Sequence, residues 1–120
     1  EQARAYHTTA LTLARQTEDQ YEQARTLARL GQVSHSQGFY EQAAAYHQQA
    51  LALYRQIGDP AGEADALNGA AETLLATGQT EQAHALHTTA LALARQASDG
   101  YQQARAHRGL AAAPLSRISG

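Results

Sequence analysis

The chain has 120 residues, a formal charge of −2 and an apolar fraction of 43%. That fraction is built from 28 Ala and 14 Leu, against one Phe, one Val and two Ile, which argues against a sheet and for helices packed closely on small side chains. The absence of Cys excludes a disulfide framework, a thiolate metal site and a Cys nucleophile; the near-neutral charge speaks against a nucleic-acid partner, and no apolar run is long enough to span a membrane. There is also no Met and no Lys, all nine basic residues being Arg. A fragment or processed piece of a protein from a high-GC genome is therefore expected, with a cytoplasmic location.

The chain repeats itself every 40 residues without gaps. Glu1-Gln2-Ala3 returns as Glu41-Gln42-Ala43 and Glu81-Gln82-Ala83. His7 returns as His47 and His87, Ala10-Leu11 as Ala50-Leu51 and Ala90-Leu91, and Asp19 as Asp59 and Asp99. A fixed period of this length marks an array of small two-element units. In the middle copy, Ala43, Tyr46, His47, Ala50, Leu51, Tyr54 and Ile57 recur at steps of three and four, the spacing of an amphipathic helix. Gly58-Asp59-Pro60 then ends that helix and starts another, because Gly suits a position just past a helix and Pro suits a first turn. Ala64, Leu67, Ala71, Leu74 and Leu75 carry the second helix, which Gly78 closes. Six helices are predicted, at about 1–16, 21–37, 40–57, 61–77, 80–97 and 101–112. They form one array over residues 1–113. Pro114 prevents further helix, leaving an irregular tail over 114–120.

Leu30-Gly31, Gly38, Tyr40, Ala43 and Ala50, echoed by Leu67, Ala71, Gly78, Ala83 and Ala90, resemble the tetratricopeptide repeat. The 40-residue step is longer than the ~34 usual for that repeat. His47 stands where an aromatic is usual, and Arg55 and Arg95 stand where Pro is usual. The longer unit looks similar to the C-terminal repeats of bacterial signal-transduction ATPases and transcriptional regulators. The resemblance implies an all-α fold of antiparallel hairpins stacked in a right-handed superhelix. It also implies a non-catalytic scaffold that binds a protein or peptide partner. The first helix of each pair would line a concave groove. Its groove positions would be Arg25, Ala28, Arg29, Gln32 and His35, then Asp65, Asn68 and Glu72, then Arg105 and Arg108. That face reads basic, acidic-amide, basic. The Arg side chains suit a carboxylate-bearing segment, and an Asn at this register commonly contacts peptide main chain. The reading requires Asn68 to be open to solvent.

Other readings are weaker. Stacked repeats hold His7, His47 and His87 roughly 8–10 Å apart or more, too far to share one ion, so packing between helices explains them better. His84 and His87 lack a third ligand nearby in sequence. Ser34, Ser36 and Ser98 lack a nucleophile-elbow context. Asp65 and Glu72 share a helix face, but such a pair is usually solvated surface. No Gly-rich phosphate loop is present. Neither an enzyme nor any cofactor or metal is expected. The six Tyr, at 6, 21, 40, 46, 54 and 101, give a small-molecule cavity little support, because most lie on packing faces or at helix starts. The main alternative is self-association or an autoinhibitory spacer role. In it the uncapped ends, with Leu110, Leu115 and Ile118, carry the function.

Overall fold

The protein is described by a computed structural model covering residues 19–112. The first expected helix, with His7, and the tail with Leu115 and Ile118 lie outside those residues. Five helices follow one another: α1 Gln20–Ser36, α2 Tyr40–Ile57, α3 Pro60–Ala76, α4 Thr80–Gln96 and α5 Gly100–Ala112. The architecture is all-α, a solenoid of packed neighbouring helices.

Local chemistry sets the punctuation. Asp19 and Asp59 cap α1 and α3, accepting from Glu22 N at 3.1 Å and Gly62 N at 3.2 Å. Asp99 does the same for α5 through Gln102 N at 3.1 Å. The recurring Asp is thus a cap, satisfying a backbone N–H that the helix start leaves open. Each cap leads into an odd-numbered helix. The even-numbered helices start at Phe39 and Gln79 with no side-chain cap bond. Gly58 ends α2 in the left-handed region at φ 78°. The matching position after α4 is Ser98, held at φ 55°, where a Cβ is strained.

Packing follows the small residues. Ala43 and Ala50 on α2, and Ala83 and Ala90 on α4, are wholly buried. Their partners approach closely for that reason. Leu27, Leu30, Ala28 and Tyr54 form one core cluster between the first helices, and Leu67, Leu91, Ala94 and Ala106 form a second. Leu51 packs against both and joins them. Beyond the neighbours in sequence, α1 touches α3 and α3 touches α5, whereas α2 and α4 do not meet. The odd-numbered helices are therefore the inner row of a curved array, and the even-numbered helices the outer row. No helix among the described residues is long and apolar enough to cross a membrane.

Two His occupy the joints between successive hairpins. The His47 ring is wedged between Gly31 on α1 and Gly69 on α3. A Cβ on either glycine would lie 2.7 or 2.5 Å from His47 Cε1, closer than real side chains stand. His87 is seated in the same way against Gly109 on α5. The expected small-residue seam through Gly31 and Ala71 is buried, but Ala111, its third member, is exposed.

Candidate binding groove

The inner row carries two neighbouring clefts. The first, about 300 Å³, is lined on α1 by Tyr21, Arg25, Ala28, Arg29 and Gln32, with Tyr54 on α2. Across it stand Asp59, Ala61, Gly62 and Asp65, then Asp99 and Gln102. The second, about 320 Å³, is lined by Gln32, His35, Ser36, His47, Gly69, Glu72, Tyr101, Arg105 and Arg108. Gln32 belongs to both, so the two form one continuous face. Spacing explains the α1 wall: Arg25, Arg29, Gln32 and His35 or Ser36 fall three or four apart, on one stripe of one helix.

Asn68 lines neither cleft. It is fully buried, and each end of its amide is engaged. Nδ2 donates to Gln102 O at 3.1 Å and to Gln102 Oε1 at 3.0 Å. Oδ1 accepts from His87 Nδ1 at 2.8 Å, which places the ring proton on Nδ1. The expectation that Asn68 meets a partner's main chain is overturned, and with it the groove reading in the form that requires Asn68 to be open to solvent. The cause is a residue 34 positions away: Gln102 lies across it and seals it.

Arg105 is also internal, at 6% exposure. It grips Glu72 with two parallel bonds, Nε to Oε2 at 2.7 Å and a terminal nitrogen to Oε1 at 2.8 Å. Its other terminal nitrogen donates to Asp65 Oδ1 at 2.7 Å and to Gln102 Oε1 at 3.2 Å. Only one of its five N–H groups is left over. Arg105 borders the second cleft but is spent on tying α5 to α3. It is not a free clamp for a ligand, which corrects the role expected for it. Burial works against the charge of both partners. The Arg105 bonds win at Glu72 and hold its carboxyl below the usual carboxylate range. Glu72 and Asp65 in turn hold the Arg105 proton more firmly than water does.

The remaining expected residues are at the surface. Arg25, Arg29, Gln32 and Arg108 are exposed. Arg25 makes a 3.4 Å ion pair with Glu22 and sits 5.8 Å over the Tyr21 ring. Arg29 and Arg108 have no ion pair among the described residues. His35 is half-buried and donates from Nδ1 to Thr73 Oγ1 at 3.0 Å, Thr73 itself donating to Gly69 O at 3.1 Å. Tyr21 and Tyr101, one at each cleft and 80 positions apart in the repeat, are 49% and 68% exposed. Both stand at helix starts, and their shared register in the repeat is the sequence signal that links them.

His47 and His87 are 2% and 0% exposed and act as packing side chains. Burial lowers the pKa of both. His47 falls to about 4, with Arg105 and His35 adding to burial and Asp65 and Glu72 opposing it. His87 is lowered by burial, with Arg105 and His84 adding to it and Glu72 opposing.

These features describe stacked helical hairpins joined at recurring small residues, with a lined inner face. The tetratricopeptide-repeat family matches the sequence over residues 1–56 and again over residues 22–96. The chain belongs to that family. No curated protein matches it. Tetratricopeptide repeats generally mediate protein–protein interaction.

Proposed function

We propose that the chain is a non-catalytic interaction module that holds an extended segment of a protein partner on its inner face. One observation carries the reading. Arg29 and Arg108, exposed and without an internal ion pair among the described residues, border two clefts that meet at Gln32. Arg25 and His35 extend the same face. Exposed guanidinium groups suit carboxylates on a partner. With Asn68 and Arg105 engaged internally, recognition rests on the side chains of the partner rather than on its main chain. The all-Arg basic set and the longer repeat favour a bacterial regulatory parent, cytoplasmic and concerned with signal transduction or transcription.

The alternative, self-association through the ends, draws less support. The outward face of α5 carries His107 and Arg108 where α3 carries Leu67 and Asn68, a polar face where the equivalent helix is packed.

Selection of a random peptide library against the intact chain tests the groove reading. Enriched peptides should bind the double variant Arg29→Glu/Arg108→Glu at least tenfold more weakly. Unchanged affinity, together with loss on substitution of Leu110, transfers the function to the ends.

A further inference from the structure

Positions that recur at the 40-residue step serve the stacking of the array. His47 against Gly69 and His87 against Gly109 are such a pair. The contact of Tyr54 with Gly62 is not. The Tyr54 ring fills the place that a Cβ on Gly62 would occupy, but the next repeat has Ala94 and Gln102 at these positions. Stacking therefore does not demand a tyrosine here.

Tyr54 is 4% exposed and sits at the floor of the first cleft. Its hydroxyl makes no hydrogen bond within the described residues. A buried ring that lines a cleft can offer its hydroxyl to a polar group of a partner. Charges are sorted around it. The α1 wall contributes the cations Arg25 and Arg29. The opposite wall contributes the carboxylates Asp59, Asp65 and Asp99, of which Asp65 is held by Arg105. Asp59 and Asp99 each use Oδ1 to cap a helix, and Oδ2 remains for another donor.

We infer that the first cleft receives a pair of oppositely charged side chains, one carboxylate and one ammonium or guanidinium, carried close together on the partner segment. The carboxylate lies against Arg25 and Arg29 and accepts from the Tyr54 hydroxyl. The cation lies against Asp59 and Asp99. At about 300 Å³ the cleft is at the small end of ligand sites, enough for side chains rather than for a folded element. A segment is favoured over a free small molecule because Gln32 connects this cleft to the second one. The inference rests on the groove reading and specifies the partner chemistry within it.

The test uses a short peptide with blocked ends and one Glu-Lys pair among Gly and Ser. It is titrated into the intact chain by calorimetry or by amide chemical shifts. Saturable binding is expected, at least tenfold weaker when the peptide's Glu or Lys is replaced by Gln. Arg29→Gln should weaken it about tenfold, and Tyr54→Phe about threefold to tenfold. Arg29 is exposed, so its variant remains informative even if Tyr54→Phe disturbs the fold. Equal binding of all peptides, no binding at millimolar concentration, or indifference to Arg29→Gln overturns the inference. So does binding confined to a free dipeptide with unblocked ends. If library-selected peptides still depend on Arg29 and Arg108 while the Glu-Lys peptide fails, this inference falls and the groove reading stands.

Discussion

The two joints of the array occupy equivalent positions but are filled in opposite ways. At the first, between α1, α2 and α3, a large ring and a glycine meet: Tyr54 over Gly62. At the second, between α3, α4 and α5, the sizes are exchanged, with Ala94 and Gln102 at the equivalent positions. The first joint is filled by a ring. The second is filled by a polar chain running from His87 through Asn68 and Gln102 to Arg105, Asp65 and Glu72. The central His differs accordingly. His87 Nδ1 has Asn68 as partner, but Ala28 stands at the equivalent position beside His47, whose Nδ1 is buried without one. The two joints thus share a shape and differ in chemistry, and each His keeps one buried ring nitrogen without a partner, Nδ1 in His47 and Nε2 in His87.

The largest expected effect comes with acid and is shared by the joints, because burial lowers the pKa of both His47 and His87. A lowered His pKa in the folded state means that the unfolded chain binds the proton more readily. Stability is therefore unaffected well above pH 6.5, falls as pH drops below it, and levels off near pH 4 for His47. The full difference is roughly 3 kcal/mol. Urea unfolding across this range should show the loss, and His47→Gln should remove much of it. A flat profile would mean that the ring of His47 reaches water. Next is the second joint itself. Arg105→Met strands two partly buried carboxylates and should cost about 2–4 kcal/mol in urea unfolding; a cost near zero would show that the polar chain does not hold α5.

Asn68→Ala should cost about 1–3 kcal/mol by leaving His87 and Gln102 without a partner. Ala28→Asn, the reverse exchange at the first joint, should also cost about 1–3 kcal/mol, because the Tyr54 ring fills that joint and Gly62 offers the amide no side-chain partner. A neutral or stabilising Ala28→Asn would show that the first joint has room for a polar side chain, and the comparison between the joints would fail. The smallest effect lies outside the joints. Ser98→Gly should raise stability by about 1 kcal/mol by relieving the positive φ, readable as a higher midpoint of thermal unfolding.

The hairpin architecture was legible because its signals are local. Gly58-Asp59-Pro60 places a stop, a cap and a first turn side by side, and the Ala stripe marks the face that packs. Arg25, Arg29 and Gln32 were legible as one wall for the same reason: they are neighbours on a single helix. The burial of Asn68 and Arg105 was not, because it depends on Gln102 and Glu72 reaching between helices. A signal for it did exist in the exchange of Tyr54 and Gly62 for Ala94 and Gln102. Read as paired sizes, that exchange tells which joint has room for a polar side chain.

The spacing of the two helix rows has a mechanical consequence. The inner helices touch in succession while α2 and α4 stay apart, so the inner row is a spine and the outer row a set of separate ribs. Bending about the spine changes the gaps between ribs without parting either helix of a hairpin. Bending of this kind would change the curvature of the inner face while each helix pair stays whole.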